Sequence, residues 1–150
     1  MGIAYRSDVS TRLTVVVVDG HLTEAEFHAA ARRQDDDPNW HATTRLLTDA
    51  RSATTLAPSE KQLNALAALY ARMRREDEPL RAAIVAGSVF GSAFQYGKLR
   101  SSANATTIAF SFLTSACSWL GTDIHPATAV IAELRDELGV AGPGSNASPT

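Results

Sequence analysis

Two short apolar runs open the chain. Ile-Ala-Tyr-Arg at 3–6 and the β-branched Leu-Thr-Val-Val-Val-Val at 13–18 are separated by the polar Ser-Asp-Val-Ser-Thr-Arg, a pattern that predicts a β-hairpin. Asp19-Gly20 closes the second run. Thr23 and Glu26 then make a T-x-x-E capping box, in which hydroxyl and carboxylate each satisfy a free backbone N–H, and Leu22 before it can staple onto Phe27. A helix over 24–33 follows, with Phe27, Ala30 and Ala31 inward, and it is expected to stop in the breaker Asp35-Asp36-Asp37-Pro38. Arg-Leu-Leu-Thr-Asp at 45–49 reads as a third strand and the hydroxyl-rich stretch 50–58 as a loop.

Ser59 with Gln62 offers a second capping box, opening the clearest helical pattern in the chain. Leu63, Leu66, Leu69, Tyr70 and Met73 share one face of it, while Glu60, Lys61, Arg72 and Arg75 take the wet side. After Pro79, the run 80–86 reads as a buried strand leading through Gly87-Ser88 into an aromatic-bearing helix at 89–100. A fifth strand at 107–111 precedes a short helix with Cys117, Trp119 and Leu120, ended by Gly121. Pro126 suits the first turn of a last helix, whose Val130, Ile131, Leu134 and Leu138 form one stripe before Gly139. Residues 140–150 have the composition of a flexible tail.

The order β-β-α-β-α-β-α-β-α-α predicts an α/β domain with a mainly parallel five-stranded sheet built from right-handed crossovers. Its opening hairpin makes the sheet mixed. Ligands of such sheets sit beyond the carboxyl ends of the parallel strands, which here lead into 20–23, 50–59, 87–92 and 111–115.

Composition narrows the function classes. At 150 residues, 45% apolar and 20% charged, the chain has material for one folded core. Fourteen Lys and Arg against sixteen Asp and Glu give a net charge of −2, no footprint for nucleic acid or an anionic membrane. A single cysteine forms no internal disulfide and points to a reduced, cytoplasmic setting. No apolar run at the N-terminus resembles a signal peptide, and none approaches the roughly 18 residues of a membrane span.

Chemical motifs are sparse. Ser59 and Ser88 place hydroxyls at helix starts, where they serve as caps or, functionally, as phosphate-binding or phosphoacceptor positions. Gly91 to Lys98 departs from a phosphate-binding loop in glycine spacing, and Leu99 stands where Ser or Thr would hold magnesium. His21, Glu24 and His28 cluster near the first helix, yet no third helix-spaced ligand follows, so no metal is expected. Cys117 beside Trp119 reads as a core thiol rather than a nucleophile. No G-x-S-x-G surrounds any serine, and no catalytic residue or cofactor is assigned.

Several segments together resemble a family. Ile-Ala-Tyr-Arg, Leu-Thr-Val-Val-Val-Val-Asp-Gly with Leu-Thr-x-x-Glu-Phe, and Arg-Leu-Leu-Thr-Asp-Ala-Arg-Ser-Ala-Thr are similar to small bacterial STAS-like proteins of the anti-sigma-factor-antagonist fold. Ala-Ala-Ile-Val-Ala resembles that family's fourth strand, and the segment 108–121 its closing strand and helix with an A-x-x-W-L signature. The likeness spans about residues 3–121. It implies a β-α superhelix with helices mainly on one face, in a non-enzymatic binding module. Relatives include phosphorylatable antagonists of kinase-type anti-sigma factors, cytoplasmic domains of anion transporters and, more distantly, lipid-transfer domains. The antagonists' phosphorylated Asp-Ser pair is replaced here by Leu56-Ala57-Pro58-Ser59, which leaves only Ser59 close by.

The expected organisation is a STAS-like domain at 1–121, a helix at 122–139 packed on it or on a dimer partner, and a tail at 140–150. The expected function is protein interaction, through Asp49, Thr54, Thr55, Ser59 and Ser88. The alternative is a carrier for a lipid, nucleotide or anion, with a pocket near Phe90, Phe94, Tyr96 and Trp119. A homodimer is expected, because the stripe Val130, Ile131, Leu134 and Leu138 of the last helix needs cover.

Overall fold

The computed structural model describes residues 2–55, 79–87 and 105–139. β1 (Gly2–Asp8) and β2 (Leu13–His21) form the predicted hairpin, paired antiparallel from Gly2 opposite Asp19 to Asp8 opposite Leu13. β3 (Arg45–Thr55), β4 (Leu80–Ala86) and β5 (Ala105–Phe110) add in parallel, giving the order β1-β2-β3-β4-β5. The mixed five-stranded α/β sheet expected from the alternation of elements is therefore present.

Local signals set most boundaries. In α1 (Glu24–Asp35) the capping box is closed in both directions: Glu26 N–H donates to Thr23 Oγ1 and Thr23 N–H to Glu26 Oε1, each at 3.2 Å. The acidic run ends α1 as expected but also starts something new. Asp37 caps a one-turn helix, α2 (Pro38–His41), by accepting from Asn39 N–H at 2.9 Å. That turn buries Trp40 edge-on against Tyr5, with ring centroids 5.7 Å apart. The Tyr5 hydroxyl donates to Asp37 Oδ2 at 2.9 Å, and burial followed by that bond pushes its pKa up to about 12.

β3 differs most from expectation. It continues to Thr55, so residues 50–55 belong to the sheet rather than to a loop. Their pairing with Asp19, Gly20 and His21 on β2 is kept by two register shifts, each giving β3 one extra residue. The extra residues are β-bulges, which re-aim side chains from one face to the other.

α3 (Leu113–Leu120) and α4 (Ile124–Leu138) end at Gly121 and Gly139, both left-handed with φ of 68° and 71°, as glycine permits at a helix C-terminus. The two faces of the sheet carry separate cores. Val16, Val18, Leu46, Ala82 and Ile84 pack with Trp40, Phe27 and Ala31. Val15, Val17, Leu47, Ala83 and Val85 pack with Leu113, Ala116, Leu120, Ile131 and Leu134. The described helices thus divide between the faces, α1 and α2 on one and α3 and α4 on the other, instead of gathering on one. α4 buries Ile131 and Leu134 fully and Val130 and Leu138 partly against its own sheet, so its stripe calls for no second subunit. Arg6 of β1 adds ion pairs to Glu133 and Glu137 on its wet side.

Candidate functional site

The amino and carboxyl ends of the parallel strands are both lined by arginines, and they bind different things. At the amino ends, Arg45 begins β3 and pairs with Arg81, the second residue of β4. Arg45 Nη1 donates to the carbonyl of Gly121 and to Thr122 Oγ1, each at 3.0 Å, and Nη2 donates to the carbonyl of Thr11 at 2.7 Å. Arg81 donates to the carbonyls of Trp119 at 3.0 Å and Leu120 at 3.2 Å. The carbonyls of Trp119, Leu120 and Gly121 lie at the negative end of α3, where a cation is favoured, while that of Thr11 belongs to the turn between β1 and β2.

Midway along β3, opposite Val85 near the carboxyl end of β4, stands Asp49, fully buried. Its Oδ1 accepts from the Arg51 N–H at 3.1 Å and from Arg51 Nε at 2.9 Å. Its Oδ2 accepts from Arg51 Nη2 at 3.0 Å and from Arg135 Nη2 of α4 at 2.8 Å. Arg135, itself buried, also donates to Ser52 Oγ. Asp49 and Ser52 are three positions apart and would fall on opposite faces of a regular strand. The first bulge, between the pairs Val17–Asp49 and Asp19–Ser52, lets both reach the same arginine. Burial pushes the Asp49 carboxyl up, but the bonds from Arg51 and Arg135 outweigh it and hold the group below the usual carboxylate range. Every described contact of Asp49 is therefore one that favours its charged form.

Of the residues expected at a partner or phosphate site, Asp49 lies at the carboxyl edge but inside this clasp. Thr54 is exposed near the end of β3, and Thr55 is its last residue. Ser59 and Ser88 lie outside the described residues, as do Phe90, Phe94 and Tyr96 of the expected pocket. Trp119 is partly buried, with its ring 5.8 Å from that of Phe110 and 5.8 Å from the Arg81 guanidinium carbon. That environment is packing on the α3 face. Cys117 is buried in the same core, and burial, with the charge of Asp123, pushes its thiol up, away from the thiolate a nucleophile needs. Glu24 and His28 approach at 3.7 Å, but no group of three potential ligands is assembled among the described residues. No described helix is long and apolar enough to cross a membrane.

Sequence reasoning missed Arg51 and Arg135, because neither belongs to a motif. It also missed Phe112, an exposed phenylalanine two residues past the end of β5 that serves as the N-cap of α3 without a side-chain cap.

The structure is similar to a solved one, an uncharacterized protein of the DUF3478 family with a SpoIIAA-like fold from Shewanella loihica PV-4. The chain has a SpoIIAA-like fold. The match has a TM-score of 0.53 and covers 79% of this chain and 94% of the other, at 18% sequence identity. No family model and no curated protein matches the sequence. The SpoIIAA-like likeness thus concerns architecture, and it agrees with the STAS-like resemblance of the sequence segments.

Proposed function

We propose that the protein is a non-enzymatic interaction module that meets a protein partner at the carboxyl edge of its sheet, in a reduced, cytoplasmic setting. The observation that carries this reading is the state of Asp49. A general base needs an oxygen open to substrate, whereas both oxygens of this carboxylate are engaged by guanidiniums in a fully buried position. Beside the carboxyl end of β4, on the side that α/β sheets use for ligands, β3 carries this ionic seat, suited to holding an edge in shape. The SpoIIAA-like architecture supports the same reading by analogy of fold.

A photo-crosslinking amino acid placed at exposed Thr54, and separately at exposed Arg32 on α1, tests it in cells producing the protein. A discrete crosslinked partner from Thr54 and none from Arg32 is the expected result. Equal crosslinking from both positions, or none from either, overturns the reading.

A further inference from the structure

At the carboxyl edge, β3, β4 and β5 bring three dissimilar residues together. Asp49 pairs with Val85, and Val85 with Phe110. Two residues further in sequence lie Arg51, still within β3, and Gly87 and Phe112, just past the last residues of β4 and β5. Adjacency of the first two is direct, since a Cβ built on Gly87 would meet the Arg51 carbonyl oxygen at 3.7 Å. The Phe112 side chain belongs to a residue that is 69% exposed, the largest exposure among the described large apolar residues.

Arg51 is held in a set orientation with donors to spare. Asp49 takes its Nε and Nη2, and Nη1 carries no hydrogen bond among the described residues. The side chain keeps 28% of its surface in solvent. A guanidinium has five N–H donors in a planar fork, so an arginine already oriented by a buried carboxylate can bind a second one without losing much rotamer freedom. Asp19, the acidic neighbour on β2, pairs with Ser52 on the side of β3 away from Gly87, so it does not stand between Arg51 and Phe112.

Gly87 is exposed between these two residues and presents no side chain, so a main chain can approach the edge there. We infer that Arg51, Gly87 and Phe112 form a docking point for an acidic-apolar peptide segment of the partner. An Asp or Glu carboxylate binds Arg51, the next apolar side chain packs on Phe112, and the peptide backbone crosses Gly87. Charge complementarity sets the carboxylate, and the exposed ring of Phe112 sets the apolar neighbour. The inference rests on the interaction reading above and names the chemistry of its partner.

The test is a titration of the full ¹⁵N-labelled chain, followed by amide correlation spectra. The probes are the acetylated and amidated peptide Gly-Leu-Glu-Leu-Gly, its Gly-Leu-Gln-Leu-Gly counterpart, and inorganic phosphate. Saturable shifts at the amides of Arg51, Gly87 and Phe112 are expected with the glutamate peptide and not with the glutamine peptide. Phe112→Ser is expected to weaken binding about tenfold, the scale of losing one aromatic anchor. Gly87→Val, which the space beside Gly87 accommodates, is expected to block it, and Arg51→Lys to weaken it while keeping the charge. Equal shifts with the glutamine peptide, shifts confined to other elements, or no saturable shift overturn the inference. So does phosphate acting as strongly as the glutamate peptide, which would mark a bare anion site. If the peptide fails while Thr54 still crosslinks a partner, the docking point falls and the interaction reading stands. If the peptide binds while no partner crosslinks, the reverse holds.

Discussion

Two arginines stand at each end of the parallel strands, and the two pairs do opposite jobs. Arg45 and Arg81, at the amino ends, bond to neutral backbone carbonyls where α3 terminates. Arg51 of β3 and Arg135 of α4, beside the carboxyl end of β4, share one buried carboxylate. The amino end is a helix cap built from side chains, and its cations stay in contact with solvent. The carboxyl end places a charge in the core and must neutralise it there. A buried ion that loses its partner costs far more than a surface cation that loses a carbonyl. The difference teaches where this fold is intolerant: at the ionic seat of β3, not at the cap of α3.

The largest effect should therefore come from Asp49. Asp49→Ala leaves Arg135 buried without that carboxylate and removes the bonds that hold Arg51, and it should lower the unfolding free energy by about 3–5 kcal/mol. Chemical denaturation monitored by circular dichroism measures it. An effect below about 1 kcal/mol would mean that the seat is not an energetic unit. Arg45→Ala and Arg81→Ala should each cost about 1–2 kcal/mol, the scale of hydrogen bonds to a charged donor and of a favourable helix-end charge. If either costs as much as Asp49→Ala, the contrast between the two ends is lost.

The local half of this picture was legible in the sequence and the non-local half was not. Thr23 with Glu26, Gly121 and Gly139 announce their helix ends because a cap involves residues within one turn. β4 was read with its final boundaries, since an apolar run between Pro79 and Gly87 has few other interpretations. Asp49 was also singled out, but for its position at a strand end and as a phosphate or partner contact. Of its two partners, Arg51 is only two residues away but stands in no motif, and Arg135 lies 86 residues away on α4, so nothing local in either segment marks that pair. The apolar stripe of α4 is visible in the sequence while the surface it covers is not, so the stripe suggests a dimer although it packs on its own sheet. The extension of β3 through 50–55 was missed for a related reason. Its bulges exist because β2 continues alongside, and hydroxyl-rich Ser, Ala and Thr read as loop when that neighbour is unknown.

A smaller effect separates the two cations on the seat. Arg51 is the outer one, with 28% of its side chain exposed, whereas Arg135 is almost entirely enclosed. Arg51→Gln should cost about 1 kcal/mol, near the top of the range for partly exposed pairs. Arg135→Gln should cost more than twice that, because it opens a buried charge and also releases Ser52. Equal costs in the same denaturation assay would place the weight of the seat on charge alone rather than on burial.

Acid distinguishes the two ends with the least perturbation. Neither arginine-to-carbonyl contact contains a group that titrates between neutral and acid pH, whereas the seat contains Asp49. Its carboxyl lies below the usual value in the fold because of Arg51 and Arg135, so its contribution is whole above the unfolded aspartate value of about 3.9. It is lost as the pH falls through that value toward the folded one. The stability difference between wild type and Asp49→Ala should therefore be constant from about pH 7 to pH 5 and narrow below about pH 4. The cost of Arg45→Ala should be the same throughout, because helix carbonyls and guanidiniums keep their charge state over that range. Denaturant midpoints measured across the series check both. A cost of Asp49→Ala that persists unchanged at the acid limit would show that the residue stabilises β3 through the shape of its bulge and not through its charge.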